Sequence, residues 1–428
     1  MSTVSRPRLL LLCTKLGYQT RAFAEAAQQL GLEVAFGTDR CHVLEDPWGD
    51  HALPLHFEDP KGAASKVIEF AANTPIHAVI AVGDRPTPTA ARVAQALGLP
   101  GHPPQAADIC RDKYRSREVL RKAGLKVPSY ERFLADEDPQ RLASGVAYPC
   151  VVKPVALSGS RGVIRADTPA EFVAAFERVQ RLLASGEIKA LREDTSEFIQ
   201  VENYIEGVEV AVEALVEHGR LHVLAIFDKP NPLTGPYFEE TIYVTPSRLA
   251  DGVQESVMRA LDAAVRSLGL HHGPVHAEFR VNDRGVYVLE VAARCIGGLC
   301  ARALRFKIPL LKQDMSLEEV LIRLALGNDV RRVVREDRAS GVMMIPIPKP
   351  GFYEATRGVQ FAMAVPGIVD IEITAKPQQK LVPLPEGSSY LGFIFARDNT
   401  PELVERALRE AHGKLEFVVA PELPIVRG

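Results

Sequence analysis

The first hundred residues alternate between apolar runs of strand length and segments with apolar positions at helical spacing. Residues 9–13, 33–36 and 78–82 are the strand-like runs, and residues 20–30, 63–72 and 87–97 are the helical segments. This alternation predicts a doubly wound α/β layer of Rossmann-like type. The first predicted strand is not followed by a Gly-x-Gly-x-x-Gly turn, so no dinucleotide site is predicted.

The middle of the chain mixes helical and strand patterns in another order. A basic helix is predicted over residues 108–123, after a Pro-rich linker over 101–105. A short buried strand at 148–154 leads into a loop of small residues, and hairpin patterns then fill much of 198–290. This order is typical of an α+β arrangement.

Short strands dominate the last part of the chain. They are predicted at 342–347, 359–364, 369–374, 391–396 and 415–419, with one helix over 401–412. We therefore predict a multidomain protein of α/β and α+β class. It has an N-terminal domain over 1–105, a two-part domain over 106–330 and a separate β-rich C-terminal domain over 331–428. The two-part domain divides into a small lid at about 130–200 and a large part at about 201–330.

The hairpin over residues 276–290 carries the most informative polar pattern. Gly285 suits the last, left-handed position of a three-residue loop over 283–285, and that register places Glu278 directly opposite Glu290. Opposed like charges destabilise a sheet, and a divalent cation bound between two carboxylates removes the repulsion. The alternative is a solvated pair of acids, and a slip of one residue in register would separate the two side chains.

Other residues near this hairpin suggest chemistry on phosphate. Arg294 and a glycine turn at 297–298 follow Glu290 closely, although Arg294 also suits an ion pair with Glu290. Lys153 lies in a buried strand, where an unpaired lysine is rare. Lys113 lies in the basic helix, where a solvated position is equally expected. The small-residue loop after Lys153 offers backbone N–H groups to phosphate oxygens.

Composition excludes several classes of function. Hydrophobic residues make up 46% of the chain and charged residues 25%, with a net charge of −3, so neither nucleic acid nor an acidic membrane is an expected partner. The apolar stretch near the N-terminus is too short for a signal-peptide core or a membrane span. The six cysteines form no Cys-x-x-Cys pair or zinc spacing, so reduced thiols and a cytoplasmic location are expected.

Four motifs occur in order: the helix with Lys113, Lys153 before the Gly/Ser loop, the hinge with Glu202 and Glu209, and the acidic hairpin. This set over roughly residues 8–330 resembles the ATP-grasp superfamily, in which two α+β subdomains hold ATP. The segments 227–241, 275–280 and 289–294 resemble the bacterial L-amino-acid ligases, which join two amino acids into a dipeptide with hydrolysis of ATP to ADP and phosphate.

The resemblance implies ATP and Mg²⁺ (or Mn²⁺) as cofactors and assigns a role to each motif. Lys113 and Lys153 would contact the phosphates, the loop 157–162 would cover them, and Glu278 and Glu290 would hold the metal. Arg294 and Lys153 would be the catalytic residues, and Arg294 would bind an acyl-phosphate intermediate. The residues implied to contact ATP are Lys113, Lys153, Ser158, Gly159, Ser160, Gly162, Glu202, Asn203, Tyr204, Ile205 and Glu209.

The substrates implied are a small-molecule carboxylate and an amine, both expected to be amino acids. They are assigned to Glu240, His276, Arg294 and Gly298, although Glu240 also suits a solvated loop and His276 an ordinary hydrogen-bonded position. Many ATP-grasp enzymes carry an Asn metal ligand two residues after the last Glu. This chain has Ala292 there, which leaves open whether one or two metal ions bind.

Three alternatives stay open at this point. The chain could be another ATP-grasp ligase that acts on a purine precursor or a non-amino-acid carboxylate, a carboxylase that activates bicarbonate, or an ATP-binding regulatory protein without turnover. The oligomeric state is also open, with a homodimer considered.

Overall fold

The structure is a computed structural model that describes residues 6–14, 17–39, 52–309 and 311–422, with the side chains of 311–313 left out. Its N-terminal part is a parallel sheet of order β3-β2-β1-β4, as the alternating pattern predicted. The strands are β1 (Arg8–Cys13), β2 (Glu33–Thr38), β3 (Ala52–Pro54) and β4 (Ala78–Val82), and the helices are α1 (Tyr18–Gln29), α2 (Pro60–Asn73) and α3 (Thr87–Ala96).

The basic helix predicted at 108–123 is two helices, α4 (Pro104–Arg111) and α5 (Lys113–Lys122). They are separated at Asp112, whose backbone is extended and whose side chain accepts a hydrogen bond from the Arg115 N–H. An Asp at this position satisfies an unpaired N–H group at the start of α5, so the helix restarts there. Helix α4 begins inside the segment predicted as a linker because Pro104 suits the first turn of a helix.

The lid region is an antiparallel sheet of order β5-β8-β6-β7 with a long helix packed on it. Phe172, Phe176, Val179 and Leu183 lie on the buried face of this helix, at the predicted spacing. The elements are β5 (Tyr130–Leu134), α6 (Pro139–Leu142), β6 (Cys150–Pro154), β7 (Ile164–Ala166), α7 (Pro169–Leu183), α8 (Gly186–Lys189) and β8 (Phe198–Asn203).

An eight-stranded sheet of order β13-β12-β9-β10-β11-β17-β21-β19 forms the centre of the molecule. Its first part comprises β9 (Val208–Glu217), β10 (Arg220–Asp228), β11 (Ile242–Thr245), β12 (Gly273–Asn282) and β13 (Gly285–Ala292), and α9 (Asp251–Leu268) packs on it. The elements that follow are β14 (Phe306–Ile308), β15 (Leu311–Met315), α10 (Leu317–Ala325), β16 (Val334–Arg335), β17 (Ala339–Ile345), β18 (Gly351–Arg357), α11 (Val359–Met363), β19 (Ile368–Ile373), β20 (Lys380–Leu381), β21 (Gly392–Asp398), α12 (Pro401–His412) and β22 (Glu416–Ala420).

The C-terminal strands are not a separate sheet. Strands β17, β21 and β19 extend the central sheet through the pairing of β11 with β17, so hydrogen bonds cross the boundary predicted at residue 330. Three of the remaining C-terminal strands form a small sheet of order β20-β18-β22. The fold class is confirmed, and the exact domain boundaries stay a prediction.

The strand predicted at 359–364 was wrong, because this segment is the short helix α11. Alternating apolar residues suggested a half-buried strand, but Phe361 is 63% exposed and Ala362 faces the core instead. Gly358 precedes the helix with a φ of +80°, and a Cβ there would lie 2.0 Å from the Lys414 carbonyl oxygen. This close approach turns the chain and starts the helix.

Two further findings concern location and thiols. No helix among the residues described is both long and apolar enough to cross a membrane. The cysteines that the structure describes are buried thiols without disulfide partners, and Cys41 lies outside these residues; the buried thiols are Cys13, Cys110, Cys150, Cys295 and Cys300.

Candidate active site

One cleft of about 360 Å³ brings together nearly all of the residues predicted for the site. It lies among the N-terminal sheet, the lid and the central sheet. The predicted residues that line it are Lys113, Lys153, Ser158, Gly159, Ser160, Glu202, Asn203, Tyr204, Ile205, Glu209, Glu240, His276, Glu278, Glu290, Arg294 and Gly298.

Gly162 is the exception and does not belong to the lining. Its N–H donates to the Pro385 carbonyl at 2.8 Å, and its φ is +73°. A Cβ at this position would lie 2.8 Å from Pro154 and 2.9 Å from Leu182. The structure therefore accounts for this glycine by close packing and backbone conformation rather than by a position in the cleft.

The two acids of the hairpin are opposite each other, as predicted, but the register arises differently. The loop has two residues, so Asn282 pairs with Gly285 rather than with Val286. A β-bulge at Leu289 then restores the pairing of Glu278 with Glu290. The carbonyl of the bulged Leu289 accepts a hydrogen bond from the Arg117 guanidinium.

Side chains on alternating positions of β9 and β12 share the sheet face that lines this cleft. Glu213 pairs with His276, Ala211 with Glu278, and Glu209 with Arg280. The small side chain of Ala211 opposite Glu278 leaves space beside that carboxylate. This face therefore presents acids and bases in cross-strand pairs, which sequence spacing alone did not predict for β9.

Lys153 and Glu202 form a buried ion pair beneath the lid. Lys153 Nζ lies 2.6 Å from Glu202 Oε2, and both Arg117 Nε and Gln200 Nε2 donate to Glu202 Oε1 at 2.7 Å. Burial would raise the pKa of Glu202, but Arg117 and Lys153 hold it down at about 2. Burial lowers the pKa of Lys153 to about 8, against the opposing effect of Glu202. The Glu202 side chain therefore orients Lys153 rather than facing the cleft as a free carboxylate.

Lys113 links the loop to the acidic hairpin. Its Nζ donates to the Leu157 carbonyl at 2.8 Å and lies 3.6 Å from Glu290 Oε2. In the loop, Gly159 and Ser160 both have positive φ, and both residues line the cleft. Lys113, Lys153 and this loop thus border the same part of the cleft.

Arg294 pairs with Asp84 and not with Glu290. Arg294 Nε donates to Asp84 Oδ1 at 2.7 Å, and Nη1 donates to the Cys295 carbonyl at 2.9 Å. Asp84 comes just after β4, so the pair joins the N-terminal sheet to the end of β13. Burial opposes ionisation of Asp84, yet Arg294 keeps the pKa of this carboxyl below its usual value.

His276 is held between two acids. Its Nδ1 lies 3.1 Å from Glu213 Oε2, and its Nε2 lies 3.7 Å from Glu278 Oε1. Burial would lower the pKa of His276, but the hydrogen bond to Glu213 and the nearby carboxylate of Glu278 raise it to about 9. Glu213 also accepts a hydrogen bond from the Ile296 N–H. These contacts fix the imidazole beside the predicted metal pair.

Next to the hinge after β8, the cleft is lined by apolar and aromatic side chains, among them Pro128, Val151, Tyr204 and Phe238, and we call this part of the cleft the aromatic slot. The Tyr204 and Phe238 rings stack at 6.2 Å, and the Arg165 and Arg280 guanidinium groups lie 4.1 and 4.8 Å from the Tyr204 ring centre. The backbone of residues 203–205 borders the slot. A flat aromatic base is the kind of ligand that such a slot can bind.

Sequence reasoning missed the most highly connected cation of the site, Lys229. Its side chain is 2% exposed, and its Nζ lies 2.9 Å from Glu209, 2.5 Å from Glu240 and 3.0 Å from Glu278. Burial would lower the pKa of Lys229, but the three acids raise it well above its usual value. The only sequence signal was a lysine at the end of an apolar strand, next to Pro230.

The carboxylates of Glu278 and Glu290 fit a magnesium ion. Both line the cleft and both offer hard oxygen atoms, which Mg²⁺ prefers together with phosphate oxygens and water. Ala292 pairs with His276, two residues along the hairpin from the Glu278–Glu290 pair, and offers no ligand. The candidate protein ligands for a metal ion at this hairpin are therefore the two glutamates.

Comparisons with known proteins bear on the family and the fold of the chain. Three family models match the chain: an ATP-grasp N-terminal domain over residues 24–101, an ATP-grasp domain over 146–303 and L-amino acid ligase C-terminal domain 2 over 343–420. A crystal structure of L-amino acid ligase from Bacillus licheniformis is similar at 27% identity and a TM-score of 0.78, covering 98% of this chain and 100% of that one.

Curated relatives are matched over part of their length. An uncharacterized protein of Sinorhizobium fredii is 26% identical, covering 78% of this chain and 66% of the relative. Alanine–anticapsin ligase of Bacillus subtilis is 31% identical, covering 48% of this chain and 46% of that enzyme. The chain thus spans between about half and two thirds of these relatives. The crystal structure of phosphoribosylglycinamide synthetase from Anaerococcus prevotii, at 16% identity and a TM-score of 0.68, shares the fold.

Proposed function

The chain belongs to the ATP-grasp superfamily, and from this premise we propose that it is an ATP-dependent ligase that joins a carboxylate to an amine. We propose two amino acids as the substrates and a dipeptide, ADP and phosphate as the products. The observation that carries the proposal is the opposed pair Glu278 and Glu290, in one cleft with Lys113, Lys153 and Arg294.

The nucleotide would lie along the cleft from the aromatic slot to the acidic hairpin. The adenine would occupy the slot beside residues 203–205, and the phosphates would lie among Lys113, Lys153 and the loop amides of 158–160. Glu278 and Glu290 would hold Mg²⁺, which when bound neutralises charge on the phosphate oxygens. Glu209 faces the cleft with both oxygens already paired, to Lys229 and to Arg280, so a ribose hydroxyl would share these acceptors.

In the first proposed step, an oxygen of the substrate carboxylate attacks the γ-phosphorus of ATP. The bond from that phosphorus to the bridging oxygen breaks, giving ADP and an acyl-phosphate. Lys153 and the loop N–H groups stabilise the charge that builds up on the transferring oxygens. Lys153 can do this because its ion pair with Glu202 and its place in the buried strand β6 fix the orientation of its side chain.

In the second proposed step, the amine nitrogen attacks the acyl carbon, the C–O bond to phosphate breaks, and the departing phosphate takes up the proton that the nitrogen loses. Arg294 stabilises the oxyanion of the tetrahedral intermediate, and Asp84 holds its guanidinium at the cleft. A loop that closes over the phosphates excludes water, which would otherwise hydrolyse the acyl-phosphate. A substrate ammonium would share the oxygens of Glu240, which already accept from Lys229 and Tyr243.

The decisive experiment measures ADP release against all pairs of natural amino acids, with mass spectrometry of the products. The proposal expects ADP release that depends on both amino acids, and a product with the mass of the pair less one water. Release stimulated by another carboxylate or by bicarbonate would instead identify the ligase or carboxylase alternatives. ATP binding with no release under any condition would identify a regulatory protein. A cytoplasmic location and a homodimer stay predictions.

A further inference from the structure

Lys229 has no role in the reaction steps above, although it is among the most buried charged side chains of the cleft. It follows β10, with a relative exposure of 5% for the whole residue. A buried lysine is costly unless it is fully paired, and here three carboxylates pair with a single ammonium.

The three carboxylates are arranged as cation ligands. One oxygen from each of Glu209, Glu240 and Glu278 lies within 4.8 Å of the others, and in the part of the chain that the structure describes no other group of acids, histidines and cysteines meets this spacing. Lys229 Nζ lies within 3.0 Å of an oxygen of all three. The ammonium thus occupies the point at which a metal ion would bind these three ligands.

Neighbouring groups fix the carboxylates around Lys229. Tyr243 donates its hydroxyl to Glu240 Oε2 at 2.7 Å, and Arg280 Nε donates to Glu209 Oε2 at 2.9 Å. The Tyr243 ring also lies 5.2 Å from Lys229 Nζ, a cation–π contact. Because Tyr243 and Arg280 hold Glu240 and Glu209 from outside, these two acids would keep their places if the ammonium were removed.

We propose that Lys229 is a positioning residue whose ammonium takes the place of a cation among Glu209, Glu240 and Glu278. It offsets the mutual repulsion of the three acids, and it keeps free divalent ions away from this point before nucleotide binds. Glu278 is thereby left with one oxygen held by Lys229 and the other available for the ion that it shares with Glu290. The inference rests on the proposed function only for this last assignment of Glu278.

Removing the ammonium should create a new metal site. The three carboxyl groups offer hard oxygen ligands to a divalent ion, and the ammonium that would repel the ion is gone. A second consequence is competition, since an ion bound among these acids would draw Glu278 away from Glu290. Turnover of such a variant should fall as the metal concentration is raised, instead of reaching a plateau.

The test is a titration with Mn²⁺ alone, without nucleotide, in which the free ion is measured by its electron paramagnetic resonance signal. Lys229→Met and Lys229→Gln remove the charge, and Lys229→Arg is the control that retains it. We expect the two neutral variants to bind one Mn²⁺ about tenfold or more tightly than the wild type, and the arginine variant to behave as the wild type. Adding Glu240→Gln to Lys229→Met should abolish the gain.

Several results would overturn the inference. One is a folded neutral variant with the Mn²⁺ affinity of the wild type, and another is an equal gain in Lys229→Arg. If neither neutral variant folds, the wild type is compared with Glu240→Gln instead. Mn²⁺ binding to the nucleotide-free wild type that is lost in Glu240→Gln would mean that the ammonium does not exclude the ion. None of these measurements requires turnover, so their failure is distinct from a failure of the amino-acid screen.

Discussion

Arg294 and Asp84 are 210 positions apart in the chain, and their side chains meet at 2.7 Å in the centre of the cleft. The pair connects the turn after β4 to the segment after β13, so the N-terminal sheet contributes directly to the site. Asp84 leaves the Arg294 guanidinium with further N–H groups at the cleft. The position of the proposed oxyanion-binding group therefore depends on the packing of two domains.

We expect Asp84→Asn to lower kcat by about ten- to a hundredfold, because Arg294 loses the charged partner that directs it and small displacements of a catalytic group are costly. KM for ATP should change much less, since the nucleotide slot lies elsewhere. Steady-state kinetics, with each substrate varied in turn, measures the effects on kcat and on KM separately. The matched control is Asp108→Asn, which breaks the ion pair with Arg92 outside the cleft. Equal loss in both variants would contradict a specific role for Asp84.

Glu290→Gln should reduce amine-dependent ADP release by at least about a hundredfold, because the hairpin then offers only one carboxylate to the metal. Raising the Mg²⁺ concentration should restore part of the rate if the defect is metal affinity. The control is Glu416→Gln, an exposed acid on β22 that pairs with Arg357. Normal turnover of Glu290→Gln would refute the metal role of the pair.

Glu202 should give the protein a defined dependence of stability on pH. Its pKa is lowered to about 2 in the folded protein, so its ionised form is favoured by folding. The contribution is fully present above the unfolded pKa, near 4.5, and is lost as the pH falls toward 2. A shift of this size corresponds to about 3 kcal/mol.

The measurement is the urea unfolding midpoint of Glu202→Gln and wild type between pH 3 and pH 7. We expect a roughly constant deficit in the variant above pH 5 and a deficit that shrinks below about pH 4.5. Lys153 should react faster with amine-modifying reagents in the variant, since it loses its ion-pair partner Glu202. A deficit that is unchanged down to pH 3 would show that the ion pair does not contribute as proposed.

Local sequence patterns predicted much of this site, because strand period and turn residues determine which side chains share a face. Glu278 and Glu290 are opposed as expected, yet through a shorter loop and a bulge at Leu289 whose two effects on register cancel. Lys229 and Asp84 were missed for another reason: their partners come from other segments, and their oppositely charged neighbours Asp228 and Arg85 pair with other residues. The segment 359–364 was predicted as a strand because six residues are too few to separate the helical period from the strand period.

Gly162 offers a test that separates support of the loop from contact with nucleotide. Gly162→Ala forces an unfavourable φ and brings a Cβ into contact with Pro154 and Leu182, so we expect a loss of about 1–3 kcal/mol in the stability of the lid. Gly186→Ala in the same lid is the matched control, because no atom lies within 4 Å of its added Cβ and its backbone is ordinary. Hydrogen exchange of the lid strands β6 and β7 measures the difference. If kcat of Gly162→Ala at saturating ATP stays within about threefold of wild type while exchange in β6 and β7 accelerates, Gly162 acts through packing. Unchanged hydrogen exchange together with a large rise in KM for ATP would instead indicate that Gly162 contacts the nucleotide.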